Sequence, residues 1–587
     1  MKHNKAYLFI ILILSIQFIS CENIFEPEDE NLGTMDRIYQ NPAFAEGLLM
    51  TAYIKLPTNG LSFNDLATDD AVSNDESNGY RRMATGQWSA QYNPASLWDS
   101  SISAIFYLNK FISVIDTVTW KWTDSELNRL YKVRLRGEAY ALRGLFEYYL
   151  LVTTGGIGGG GELLGIPLYN NFIESDGNFN IPRASFRESV DQIYADFDKA
   201  LEYLTMDDYG DISSLSELPE GLEDIKSVAN YNLVFGKDIV HRISGKIIKA
   251  LKARVALLEA SPAFSAGDIV LWEKAANYAA EVLDKIGGIS GLDPNGHRFY
   301  NGSFIDAIDM SKGKDQKEVL WRNAKYSSLS LETRLFPPSL YGQGDVNPTQ
   351  NLVDAFPMAN GFPITDPESL FDQEKPYVNR DPRLSLYILH NNSVLKGENI
   401  QTGAGGGINA KDSISQSTRT GYYIRKLLRE DVNLDPVARI SKDHYSIHMR
   451  YTELFLIYAE AANEAWGPEG VGAHSYSSKD VIRAIRKRAG ITQPDLFLAS
   501  VSTKEEMREL IRNERRIELC FEGFRFWDLR RWKEDLTESA KGINISDSNY
   551  TIVQVEDRKY DNSFMIYGPL PYNDILKYNS LIQNKGW

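Results

Sequence analysis

Apolar residues recur every three to four positions over much of the chain, a spacing that predicts helices rather than strands. Trp98, Ile102, Ile105, Leu108, Ile112 and Ile115 form one such row, and a short helix from Pro42 to Leu56 is expected before it. A long helix follows from about Glu126 to Val152, then one over Phe186–Leu204 with Ile193, Phe197 and Leu201 on one face. A further pair is expected at Arg242–Ala260 and Trp272–Ile286. Small alanines let paired helices approach closely. Ser261-Pro262 closes the first helix of that pair, because proline lacks the amide hydrogen the ladder needs. Successive antiparallel pairs of this kind predict a mainly α fold. The pattern is a TPR-like helix-pair superhelix, degenerate and without a strict period of about 34 residues.

Two stretches break the pattern. Residues 57–97 lose periodicity inside the helical region 42–286, and a long aperiodic loop with this aromatic and amide content reads as a ligand loop. Residues 287–446 are rich in Gly, Asn, Asp, Ser and Pro, with only short strand candidates, such as Leu384–Leu389 and G-Y-Y-I-R-K-L-L from Gly421. They read as a loop-rich insertion, the larger part of an irregular ligand-binding half. Helices resume over 447–535, and 536–587 reads as an irregular tail packed back on the body.

The segment Thr503–Trp532 holds the densest pattern. Thr503 and Glu506 make a capping box, and Gly523 is placed to end the helix. Met507, Leu510, Ile511, Ile517 and Phe521 fall on one face, with Glu514 and Glu518 in its middle. Carboxylates on an apolar face are costly unless cations meet them. Arg515, Arg516, Arg525, Arg530 and Arg531 are the cations nearest in sequence. Two readings follow: the acid/base pair of a glycosidase, or a structural Arg/Glu lattice. The abundance of arginine favours the lattice.

At the N-terminus, Lys2 and Lys5 precede an apolar run, Ala6–Ile19, that is short for a membrane span and leads to Ser20 and Cys21. This predicts a lipoprotein signal over 1–20, lipid on Cys21, and an acidic tether over 21–41. The other reading is an ordinary secretion signal cut near Cys21. With Cys21 lipidated, Cys520 has no disulfide partner and is expected in the core. The chain has 63 Lys+Arg against 79 Asp+Glu, a net charge of −16. Such a surface repels polyanions and excludes a sequence-neutral nucleic-acid binder.

Motif by motif, chemistry is scarce. Gly155–Gly161 contains G-x-G-x-x-G but follows a helix, so it reads as a flexible loop rather than a dinucleotide site. His444 and His448 have helical metal-pair spacing without the glutamate of H-E-x-x-H, and read as structural or surface residues. No nucleophile pattern, metal set or cofactor motif stands out. The strongest binding candidates are Asn74, Tyr80, Arg81, Arg82, Trp88 and Tyr92, with Tyr341 in the second glycine-rich loop. Flat rings stack on the C–H face of a sugar, and amide and guanidinium groups meet its hydroxyls. The opposing reading has Trp88 and Tyr92 plugging the helical body.

Taken in order, several pieces resemble the SusD/RagB family of outer-membrane nutrient-binding lipoproteins. They are Cys21, G-E-A-Y-A-L-R-G-L-F at Gly137, G-I-P-L at Gly165, I-P-R-A-S at Ile181, A-L-K-A-R-V-A-L at Ala250 and N-P-T-Q-N-L-V-D-A-F at Asn347. R-D-P-R-L at Arg380, G-Y-Y-I-R-K at Gly421, the helix from Arg450, the Thr503–Trp532 segment and the terminal Q-N-K-G-W continue the series. The resemblance implies a TPR-like scaffold carrying an irregular ligand-binding half. It implies capture of a glycan without catalysis, lipid attachment at the outer membrane facing outward, and a SusC-like TonB-dependent transporter as partner. It brings no cofactor. The alternatives are a peptide-binding RagB-type member, a glycoside hydrolase using Glu514 and Glu518, and a structural scaffold in a membrane assembly.

Overall fold

The computed structural model describes residues 39–58, 63–547 and 549–587. The signal, Cys21 and nearly all of the tether lie outside the described residues. The architecture is mainly α, as the periodicity predicts. The principal helices are α1 (Pro42–Ile54), α2 (Trp98–Val114), α3 (Ser125–Thr154), α4 (Phe186–Leu201), α5 (Val228–Phe235), α6 (Gly245–Ala260) and α7 (Ile269–Leu283). After the insertion come α8 (Tyr451–Trp466), α9 (Ser478–Ala489), α10 (Lys504–Glu518) and α11 (Arg525–Trp532).

Packing follows chain order. α1 lies on α2, α2 on α3, α3 on α4, α4 on α6, α6 on α7 and α7 on α8, with α9 and α10 against α8. One apolar core runs through this array. The crossing of α3 with α4 is close because Gly137 and Gly144 face it. A Cβ on Gly137 would meet Leu204 Cγ at 2.6 Å, and one on Gly144 would meet Phe197 Cε1 at 3.0 Å. Ser185, Ser477 and Thr503 each close a capping box at the start of α4, α9 and α10.

A second core fills the loop-rich half, around Leu352, Tyr387, Tyr422 and Tyr423. Phe63, Leu66, Ile517, Phe521, Ile543 and Ile545 belong to it as well, so it draws on distant parts of the chain. Residues 63–73 are buried rather than looped out. Ala71–Ser73 pairs antiparallel with Val346–Pro348. The expectation of one long open loop over 57–97 therefore fails for this stretch.

Three further expectations are corrected. α10 ends at Glu518, short of Gly523, because its last carbonyls are taken early. Lys426 Nζ donates to the Glu518 carbonyl at 2.7 Å and Arg450 Nη2 at 3.1 Å. Phe521 is thus off the helix, with φ of 63°. Residues Pro382–Tyr387 are helical and only Ile388–Leu389 is a strand, paired with Tyr423–Ile424. Asp381 as N-cap with proline at the first helical position dictates this. The tail holds an antiparallel hairpin, Ala540–Ser546 with Asn549–Glu556. Its Ile543 and Ile545 point into the second core.

Candidate functional site

Where α3, α6 and the start of α11 meet the loop-rich half, the two cores leave a cleft with about 1380 Å³ of empty space, its open mouth included. Tyr148 and Tyr149 of α3, Tyr80, Phe524 and Trp527 line it, all half-buried. Adjacent tyrosines on a helix project about 100° apart, so with one facing inward the other is left to an edge. A second, more apolar cavity lies across Ile447, His448, Glu453 and Phe524, which wall both.

The polar floor of the cleft is made of ion pairs. Arg254 of α6 grips Glu453 of α8, Nε to Oε1 at 2.8 Å and Nη2 to Oε2 at 2.6 Å, and also donates to the His448 carbonyl. Arg515 Nε donates to Asp528 Oδ2 at 2.7 Å, and Arg531 Nε to Asp528 Oδ1 at 2.8 Å. Burial alone would raise Asp528, but Arg515 and Arg531 hold it below the usual carboxylate range. Burial pushes both tyrosine hydroxyls up to about 12, so they remain neutral. Burial, with Arg254 beside it, brings the His448 imidazole down to about 4. Its Nε2 meets Asn323 Oδ1 at 2.7 Å. His448 and His444 sit on strands, and His444 Nε2 meets Glu332 Oε1 at 3.0 Å, so the helical metal-pair geometry is not formed.

The residues expected to bind ligand are dispersed. Tyr80 reaches the cleft. Trp88 does not: it is 6% exposed and is ringed by Phe526, Tyr560 and Trp587, with the Arg530 guanidinium 4.8 Å above its face. Its expected role as a sugar platform is corrected; it plugs the body. Asn74 Nδ2 donates to the carbonyls of Gln343 and Gly344, tying its loop to the one that bears Tyr341. Arg81 Nε donates to Glu556 at 3.2 Å. Arg82 bonds Gln87 and lies 4.7 Å over the half-buried Tyr92 ring. Tyr341 is 57% exposed, on the surface rather than in the cleft.

Glu514 and Glu518 are fully buried and closed to substrate. Their cations are not the arginines nearest in sequence. Arg383 Nη1 meets Glu514 at 2.6 Å and Glu518 at 2.9 Å, while Arg488 and Arg450 reach Glu518 at 2.7 and 3.2 Å. Burial lifts Glu514 despite Arg383 and Arg486, whereas at Glu518 the pull of Arg488, Arg450 and Arg383 outweighs burial and holds it low. Arg516 and Arg525 instead clamp Asp69 and Asp70, and Arg515 and Arg531 take Asp528. Among the described residues Arg530 meets no carboxylate. It lies 3.6 Å over Phe526 and donates to that residue's carbonyl. Arg516 is two residues from both glutamates and so points away from them, Arg515 is drawn instead to Asp528, and Arg525, Arg530 and Arg531 lie on the next helix. Among the described residues no cluster of His, Cys, Asp and Glu is arranged to hold a metal.

Sequence reasoning missed Tyr148, Tyr149 and Arg254, because all three sit in helices that read as scaffold. The available signal was the Tyr-Tyr pair itself, which a single apolar stripe cannot absorb.

Residues 305–587 match the SusD family model, and residues 49–216 match one described as starch-binding associating with outer membrane. SusD-like protein P38 of Formosa agariphila is 24% identical over 561 residues, 90% of this chain and 91% of P38. SusD-like protein P2 of the same organism is 36% identical over 99 residues, a match spanning only 16% of this chain and 18% of P2. The solved structure of a SusD-like protein from Bacteroides fragilis superposes with a TM-score of 0.69 at 23% identity, over 96% of this chain and 100% of its own. A laminarin-binding SusD-like protein gives 0.57 at 19% identity, over 94% and 100%. At such identities these structures speak for the fold alone. With family matches in both halves of the chain and the helical array shared nearly end to end, the chain belongs to the SusD/RagB family.

Proposed function

We propose that this protein captures a glycan in the cleft between its two cores and passes it on unaltered. The observation that carries the reading is the cleft lining: partly exposed rings of Tyr148, Tyr149, Phe524 and Trp527 beside fixed polar groups. Sugar rings bind by stacking an apolar C–H face on an aromatic while the rim is hydrogen-bonded. The description of one family model as starch-binding, and the laminarin-binding neighbour, support a carbohydrate ligand. Burial and ion pairing of Glu514 and Glu518 argue against their use as a hydrolytic pair.

The same reading places the protein at the outer membrane, lipid-anchored through Cys21 and facing outward, with a SusC-like TonB-dependent transporter receiving the glycan. The family model's association with the outer membrane supports this. Affinity electrophoresis through gels containing a panel of polysaccharides tests capture. Retardation by at least one glycan, lost in Trp527→Ala or Tyr149→Ala, is expected. Binding of peptides and of no glycan would replace this reading with a peptide-binding one. Co-purification of a β-barrel protein with the tagged lipoprotein tests delivery.

A further inference from the structure

We infer that His444 and Glu332 share one proton that latches the wall of the second, more apolar cavity, and that the latch releases as pH rises. The positions of the two ring nitrogens carry this. His444 Nδ1 lies 2.9 Å from the Lys442 carbonyl oxygen, and Nε2 lies 3.0 Å from Glu332 Oε1. A carbonyl only accepts, so Nδ1 bears a hydrogen. A neutral imidazole has one N–H, which leaves Nε2 as a bare lone pair facing the carboxylate. That contact is repulsive unless a proton lies between the two atoms, on the imidazole or on the carboxyl. In either arrangement the pair holds one proton more than a neutral histidine and a carboxylate.

The surroundings favour keeping it. Glu332 is fully buried, its Oε1 also accepts from the Arg429 backbone N–H at 2.8 Å, and its Oε2 is sealed without a partner. The other cations nearby are taken: the Arg429 guanidinium by Asp306 and Asp431, Lys442 by Asp431, and Lys325 by Asp443. Among the described residues His444 is the one cationic partner within ion-pair reach of Glu332. The Tyr326 ring stacks on the imidazole at 6.3 Å. Burial pulls the imidazole down and Arg429 adds to this, but the bond to Glu332 and its charge outweigh both and lift it above its ordinary value.

The shared proton joins separate parts of one wall. His444 ends the strand Lys442–His444, paired antiparallel with Tyr326–Ser328, while Glu332 sits in the short helix Ser330–Leu335. Tyr326, Ser328, Leu331 and His444 line the apolar cavity, and Ile447 and His448, just beyond, wall the cleft as well. An imidazole that titrates higher folded than unfolded stabilises the fold fully below the unfolded value, about 6.5. That contribution is lost as pH climbs through the folded value, and with it the tie across the wall.

Carbon-13 spectra of the intact chain labelled in its histidines test this, with the His444 signal assigned by its loss in His444→Asn. Its titration midpoint is expected above about 6.5 in the wild type and below that in Glu332→Gln, which keeps an oxygen for the Arg429 amide but no charge. The thermal midpoint of the wild type is expected to exceed that of Glu332→Gln most near about pH 6, with the gap narrowing toward about pH 9. Above the His444 midpoint, amide exchange over residues 326–332 and 442–450, corrected for its intrinsic pH dependence, is expected to rise in the wild type and not in the variant. A purely structural contact gives a constant gap instead. A His444 midpoint at or below about 6.5, a constant gap, or wild-type exchange indifferent to pH overturns the inference. If Glu332→Gln does not fold, the wild-type titration and exchange decide alone.

Discussion

Two tryptophans, Trp88 and Trp527, have opposite duties, and single substitutions separate them. Trp88 is enclosed by Phe526, Tyr560 and Trp587. Trp88→Ala is therefore expected to destabilise the fold by about 3–5 kcal/mol, the range for a buried aromatic truncated in a core, in a denaturant titration. Trp527→Ala should leave the chain folded and abolish glycan retardation. A second residue-scale prediction concerns Asp65, which burial beside Asp70 raises to about 7. An unfolded aspartate titrates near about 3.9. Below pH 4 the group is protonated in both states and costs nothing. As pH climbs from about 4 to about 7 the unfolded state loses its proton first, so stability falls, and the loss is complete above 7. Asp65→Asn should match the wild type below pH 4 and exceed it increasingly up to pH 7, where the curves run parallel. A stability difference independent of pH would refute the assignment. Glu518→Gln removes one charge that faces Arg383, Arg450 and Arg488. It is expected to cost about 3 kcal/mol, because buried cations lose their partner.

At the scale of elements, helix boundaries follow caps where the caps are local and depart from them where tertiary contacts intervene. The Thr503–Glu506 capping box starts α10 as the sequence predicts. Its end is set instead by Lys426 and Arg450, which come from the loop-rich half and from the strand leading into α8. No local pattern around Gly523 carries that information. The α3–α4 crossing supplies an element-scale test. Gly137→Ala improves helix propensity by about 1 kcal/mol, yet its Cβ would meet Leu204 Cγ at 2.6 Å. Overpacking costs about 1–3 kcal/mol, so the variant is expected to be less stable than the wild type in thermal unfolding. The strands expected at Leu384 and Gly421 do pair, but over two residues each. The Asp381-Pro382 cap was legible and outranked the apolar run after it.

For the whole molecule, the loop-rich insertion is not a domain in its own right. Its core is completed by Phe63 and Leu66 from the N-terminal side and by Ile517, Phe521, Ile543 and Ile545 from the C-terminal side. Residues 284–446 expressed alone are therefore expected to lack a cooperative thermal transition. The intact chain should lose its helical and aromatic circular-dichroism signals together, since the Arg383–Glu518–Arg450 bridge ties the insertion to α10 and α8. Separate transitions for the two signals would show that the cores fold independently.

The sequence by itself determined the helical scaffold, the burial of Cys520, and the family. These rest on periodicity, caps and motifs, which are properties of neighbouring residues. Only the tertiary structure decided which arginines neutralise Glu514 and Glu518, that residues 63–73 seal a core, and that Trp88 is enclosed while Tyr148, Tyr149 and Arg254 line a cleft. Those outcomes depend on contacts between residues up to several hundred positions apart. A side chain's partner, and the space left where two cores meet, are set by how the elements pack and not by the pattern within any one of them.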